Sequence, residues 1–181
     1  MKVLIDACVL YPTLLRDLVL SHAATGAFQP LWSDRILEEW RRAAARNGAE
    51  DAAIADAEIA ALKALHPDAS VNVSDATQER LSLRDTDDIH VLAAAIDGGA
   101  SALLTLNIRD FPLRILGAEG IMRRHPDEFL LEAFHTDPGV MHNTVESVLN
   151  RAKAHGIDVS NRRALLKRAK VPRLAKALTQ L

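Results

Sequence analysis

The chain has 181 residues, 49% apolar and 25% charged, with a formal net charge of −2; this allows one good core with a small appendage and excludes a basic nucleic-acid coat. Its single cysteine, Cys8, excludes an internal disulfide and a thiolate-built metal centre. The apolar start from Val3 to Ile5 is too short for a secretory signal, and no apolar run approaches the ~18 residues of a membrane span, so a cytoplasmic protein with no membrane partner is expected.

Residues 2–6 read as a short buried strand, continuously apolar with β-branched Val3 and Ile5 and ending at Asp6. Pro12-Thr13 opens a helix with Leu14, Leu15, Leu18, Val19 and His22 on one side, stopping near Gly26. Phe28 to Trp32 reads as a second strand, which Pro30 confines to an edge or a strand start. Ser33 is the N-cap of a helix carrying Ile36, Leu37 and Trp40 and ending at Asn47-Gly48. An Ala-rich helix covers 50–65 and stops before Pro67. The alternation in Val71-Asn72-Val73 predicts a third strand. A helix from 87 to 97 stops at Gly98-Gly99, a buried strand covers 101–106, and Leu113 to Leu116 predicts a last strand after Pro112.

This alternation predicts an α/β domain over residues 1–120, with a central, mainly parallel sheet flanked by helices. Residues 121–181 carry no strand signal. Pro126, Pro138 and Pro172 look like first-turn prolines, dividing this stretch into helices at 126–135, 138–155, 161–170 and 172–180. Phe129, Leu130, Phe134, Val145, Val148 and Leu149 recur at near-helical spacing. An all-helical C-terminal extension follows. Between Arg151 and Lys176 it carries nine Lys or Arg against one Asp, a local excess suited to nucleic-acid contact.

Four acidic sites sit at the ends of predicted core elements. Asp6 ends the first strand, and Glu38 and Glu39 lie on the helix after Ser33. Asp87 and Asp88 open the helix at 87–97, with Asp85 just before them as a helix-capping acid, and Asp110 follows the strand at 101–106 within Asn107-Ile108-Arg109-Asp110-Phe111-Pro112. Each has an ordinary explanation, as a turn former, a solvated charge or a helix cap. Together they fall on the carboxyl edge of a parallel sheet, where sites form in such folds. Converging carboxylates suit a hard divalent cation, which points to a Mg²⁺-dependent nuclease. His90, two residues beyond Asp88, is a candidate to contact phosphate or to orient a carboxylate, though a packing role is its simpler reading. Cys8 reads as a small packing residue. Arg16, Arg109 and Arg114 are candidate phosphate contacts. A receiver domain would need paired acids after the first strand and a dehalogenase-type phosphatase an Asp-x-Asp there; Ala7 and Cys8 fit neither.

At these residues the chain resembles the PIN-domain nucleases, specifically VapC-type toxins of type II toxin–antitoxin systems. The segments that carry the resemblance are 3–10, 33–40, 85–95 and 104–112, in that order. The resemblance implies a PIN-like three-layer fold and places the family's catalytic acids on Asp6, Glu39, Asp88 and Asp110. It favours Glu39 over Glu38 and implies metal ligation by Asp6 and Asp88, completed by Asn107, Asp110 or both. It further implies Mg²⁺ as cofactor with Mn²⁺ as substitute, cleavage of single-stranded RNA, and neutralisation by a small cognate antitoxin protein; a homodimer is compatible with it. The helical tail is similar to the extension of a longer subgroup, including its start at residues 125–130. The rival within the same family is a non-catalytic PIN-type module that only binds RNA or protein.

Overall fold

The computed structural model describes residues 1–179. In chain order the elements are β1 (Lys2–Ile5), α1 (Ala7–Leu10), α2 (Thr13–Ala24), β2 (Gln29–Leu31), α3 (Asp34–Ala45), α4 (Ala49–Leu65), α5 (Asp75–Arg80), α6 (Ile89–Asp97), β3 (Ala102–Leu104), α7 (Leu113–Ala118), β4 (Met122–Arg124), α8 (Pro126–Thr136), α9 (Pro138–Ala154), α10 (Arg162–Arg168) and α11 (Pro172–Ala177). Short 3₁₀ turns occupy Pro67–Ala69 and Thr86–Asp88. The chain divides into two units. The first holds Met1–Tyr11 and Phe28–Arg124; the second holds Pro12–Ala27 and the chain from His125 on. Against the expected domains 1–120 and 121–181, the first unit closes at Arg124, and α2 groups with the C-terminal helices.

The first unit is an α/β fold built on a four-stranded, wholly parallel sheet flanked by helices, in the order β2-β1-β3-β4. Its two inner strands explain the most apolar runs of the sequence. Val3, Leu4 and Ile5 of β1 and Ala102, Leu103 and Leu104 of β3 are all buried, as parallel strands covered on both faces must be. The register pairs Ile5 with Leu104, so both inner strands end together and deliver Asp6 and Thr105 to the same edge. Pro30 sits in edge strand β2, where its missing N–H costs least. Ser33 caps α3 by accepting from the Ile36 N–H at 3.3 Å, and Ile36, Leu37, Trp40 and Ala44 are the buried face of that helix. Helix α6 packs on β1 and β3. After it the chain turns at Gly98, where a Cβ would lie 2.9 Å from the Ala94 carbonyl oxygen, Leu31 and Val71, so only glycine fits.

Two expected strands take other forms. Residues 113–116 form the start of helix α7, which buries Leu116 and leaves Leu113 exposed, and Pro112 provides its extended N-cap. The last strand is instead Met122–Arg124, paired with β3. At 71–73 the described residues contain no strand. One rung joins this stretch to the sheet, from the Val71 N–H to the Trp32 carbonyl at 2.8 Å, beside an isolated bridge between Trp32 and Ser70. The helix expected from 87 begins as the 3₁₀ turn and becomes α-helical only at Ile89.

Among its described residues the second unit is all helical; the extension expected to be helical from residue 121 becomes so only at Pro126, after strand β4. α8 packs on α9 and α11, α10 on α11, and α2 on α9. Its core includes Phe129, Leu130, Phe134, Val145, Val148 and Leu149, and the His22 ring meets Phe129 edge-on at 6.1 Å. Buried Asp127 on α8 accepts from the backbone N–H groups of Arg173 and Leu174, both at 3.0 Å at closest, and so caps the N-terminus of α11. Asp137 and Asn161 are the N-cap residues of α9 and α10, each accepting one backbone N–H of its own helix. The helix expected at 172–180 is described as Pro172–Ala177, and position 180 lies outside the described residues.

Candidate active site

The site is built on the carboxyl edge of the first unit's sheet. Asp6 directly follows β1, and its N–H extends the ladder to the Leu104 carbonyl at 3.1 Å. It is 6% exposed. Its Oδ2 accepts from the Thr105 hydroxyl at 2.6 Å and from the Cys8 thiol at 3.1 Å. Thr105 Oγ1 accepts in turn from the Asn107 N–H at 2.9 Å. A chain of hydrogen bonds thus fixes one oxygen of Asp6, and its Oδ1 is free of partners among the described residues. Burial, then the Asp6 charge, pushes the Cys8 thiol up to about 12. Cys8 is therefore a protonated donor to Asp6, not a nucleophile.

Asp88 ends the 3₁₀ turn and stands at the N-terminus of α6. Its Oδ2 accepts from the Asn107 side-chain Nδ2 at 3.3 Å. Its carboxyl is pushed up to about 6, first by burial, then by the charges of Asp6, Asp85 and Asp110, with His90 acting in the opposite direction. Asp110 lies in the turn after β3, and its N–H reaches the Asn107 carbonyl at 3.4 Å. One carboxylate oxygen from each of Asp85, Asp88 and Asp110 lies within 4.8 Å of the others. Among the described residues, no lysine or arginine pairs with any of the three.

Glu38 and Glu39 part company. Glu38 turns along its own helix to Arg42 at 2.9 Å. Glu39 reaches α6, where its Oε1 lies 2.6 Å from Nε2 of His90. His90 is 2% exposed, and its Nδ1 has no partner. A proton on Nε2 gives Glu39 a donor, and Nδ1 stays buried without a partner.

Asp6, Asp88, Asn107 and Asp110 thus gather at one edge through hydrogen bonds and mutual charge, while Glu39 is tied to His90, two residues beyond Asp88. The tight oxygen cluster contains Asp85, not Asp6. Asp85 was legible only as a helix cap, and it does cap the turn, accepting from the Asp87 N–H at 3.0 Å. His90 was legible as a possible carboxylate-orienting residue, with no partner assigned.

Residues 2–109 match a family model described as PIN domain. The chain belongs to the PIN-domain family. The match takes in Asp6, Glu39, Asp85, Asp88 and Asn107 and ends one residue before Asp110. No curated protein and no solved structure matches the chain significantly. PIN domains are generally metal-dependent nucleases, and the residues here fit a divalent cation. The donors are hard carboxylate oxygens from three points of the chain; burial and then their mutual repulsion raise Asp88, and among the described residues no lysine or arginine pairs with them. No helix among the described residues is long and apolar enough to cross a membrane.

Proposed function

We propose that this PIN-domain protein is a Mg²⁺- or Mn²⁺-dependent endoribonuclease that cleaves single-stranded RNA, and that it is the toxin of a toxin–antitoxin pair. The observation that carries the nuclease reading is the cluster of Asp85, Asp88 and Asp110, close enough to Asp6 for its charge to raise Asp88, with no lysine or arginine paired to the three among the described residues. Asp88 and Asp110, with Asp85 or Asp6, would hold the cation. When bound, that cation supplies a water of lowered pKa and offsets charge on the scissile phosphodiester. The chain's own residues prepare the place. Thr105 and Cys8 lock the Asp6 carboxylate, and the Asn107 amide holds that of Asp88. His90 anchors Oε1 of Glu39, leaving its Oε2 free to accept a proton. The toxin role rests on the resemblance of the acid-bearing segments to VapC-type toxins. A partner antitoxin would place an arginine or lysine among these carboxylates, competing with the cation for their charge.

Controlled expression in a bacterial host, followed by mapping of new RNA 5′ ends, tests this reading. Growth arrest with discrete new ends for the wild type, neither for Asp88→Asn, and rescue by the product of the neighbouring open reading frame are expected. Wild-type and Asp88→Asn cultures with identical RNA ends contradict the nuclease, and failure of rescue contradicts the toxin pairing alone.

A further inference from the structure

In the first unit, a cavity of about 280 Å³ is lined by Arg80, Leu81 and Ser82 from the end of α5 and by Arg114, Ile115 and Glu119 from α7 and its C-cap. Arg80 is locked against Glu119 by two hydrogen bonds, at 2.7 and 2.8 Å. Its guanidinium is therefore a fixed plane whose charge Glu119 cancels. Arg114 is exposed and has no hydrogen bond or ion pair among the described residues, and the same holds for the Ser82 hydroxyl. Leu81 and Ile115 contribute apolar wall. The cavity thus offers a stacking plane, an apolar floor, a hydroxyl and one uncommitted cation.

Two lining residues are close in sequence to the acid cluster. Ser82 precedes Asp85 by three residues, and Arg114 follows Asp110 by four. At roughly 3.6 Å per residue fully extended, the Cα atoms of these pairs are at most about 11 and 14 Å apart. These bounds leave the cavity close enough for a strand whose scissile phosphate sits at the carboxylates to extend into it. An acid cluster repels a phosphodiester backbone, and an exposed arginine four residues beyond Asp110 is a group that can offset the repulsion along a bound strand.

We infer that this cavity is a subsite for a nucleotide flanking the scissile phosphate of an RNA strand. Arg114 holds a backbone phosphate there, and a base stacks over the Arg80 plane against Leu81 and Ile115. The inference rests on the nuclease reading of the adjacent acids. The test is binding of a short fluorescent single-stranded RNA to the full chain in EDTA, by anisotropy, across a salt series. Arg114→Glu is expected to weaken binding by about tenfold or more at low salt and to make the salt dependence shallower by about one phosphate contact. Ile115→Trp fills the cavity without touching charge, and is expected to weaken binding while leaving the salt dependence as in the wild type. Should that variant misfold, Arg114→Glu still decides, since Arg114 is exposed and unpaired. Binding by Arg114→Glu within twofold of the wild type, or no binding by the wild type at low salt, overturns the subsite. Cleavage is scored separately with metal added. A wild type that cuts RNA while Arg114→Glu binds normally keeps the nuclease and removes the subsite. Arg114-dependent binding without cleavage keeps the subsite and removes the nuclease.

Discussion

Replacing Asp88 with Asn should make the metal-free protein more stable at neutral pH while abolishing its response to divalent cations. The Asp88 carboxyl is raised from 3.8 to about 6 by burial and by Asp6, Asp85 and Asp110. A group held above its unfolded value binds its proton more tightly in the folded state. Folding is therefore unaffected by it below about pH 4, loses stability as pH rises from about 4 to 6, and carries the full cost above that. The full difference corresponds to roughly 3 kcal/mol, which solvent screening at a half-buried carboxylate reduces to about 1–2 kcal/mol. The amide keeps the shape and can still accept from Asn107. Denaturant unfolding in EDTA should show Asp88→Asn more stable than the wild type by about 1–2 kcal/mol near pH 7.5, with the gap closing toward pH 4. Saturating Mg²⁺ or Mn²⁺ should then stabilise the wild type, by about 2.7 kcal/mol at a hundredfold excess over Kd, and leave Asp88→Asn unmoved. An Asp88→Asn protein that is less stable than the wild type near neutral pH in EDTA, or that gains equally from metal, refutes the reasoning.

Three further outcomes are expected. His90→Phe should lower kcat for RNA cleavage by about tenfold or more by freeing Glu39, with KM little changed, and His90→Gln should recover part of it because its amide can donate to Glu39; wild-type kcat in His90→Phe removes the positioning role. The Cys8 thiol, raised to about 12, should react with iodoacetamide far more slowly in the native protein than in the denatured one at mildly alkaline pH, and equal rates count against its place beside Asp6. Asp127→Ala should destabilise the helical unit by about 2 kcal/mol or more, since it uncaps α11 at a buried position; an unchanged unfolding midpoint contradicts that capping role.

The parts of the fold that were legible are those where burial leaves a simple pattern. β1 and β3 are uninterrupted apolar runs because both their faces are covered, and the proline-started helices of the tail carry their own punctuation. Met122-Arg123-Arg124 was not legible as a strand because its side chains are half-buried or exposed, so no apolar pattern marks it. Leu113-Arg114-Ile115-Leu116 has the composition of a strand and the burial of a short helix, since only Leu116 faces inward. The grouping of α2 with helices more than a hundred residues away leaves no local trace. In the site, the positions of Asp6 and Asp110 followed from where the strands end. The separation of Glu39 from Glu38 is a three-dimensional fact, set by His90 at a distance of 51 residues in sequence. Asp85 was hidden because capping a turn and joining a carboxylate cluster call for the same residue type.

The central claim, that carboxylates at the sheet edge work through a divalent cation to cut RNA, is tested most directly by hydrolysis of a fluorescent single-stranded RNA with Mg²⁺, with Mn²⁺ and with EDTA, comparing the wild type with Asp6→Asn. Asp6 follows β1, is fixed through Oδ2 by Thr105 and Cys8, and raises Asp88 by its charge, so the substitution keeps the shape and removes the charge. The account predicts cleavage by the wild type with either metal, none in EDTA, and collapse of activity in a folded Asp6→Asn protein. Cleavage that survives EDTA, or an Asp6→Asn variant that cuts at the wild-type rate, contradicts it.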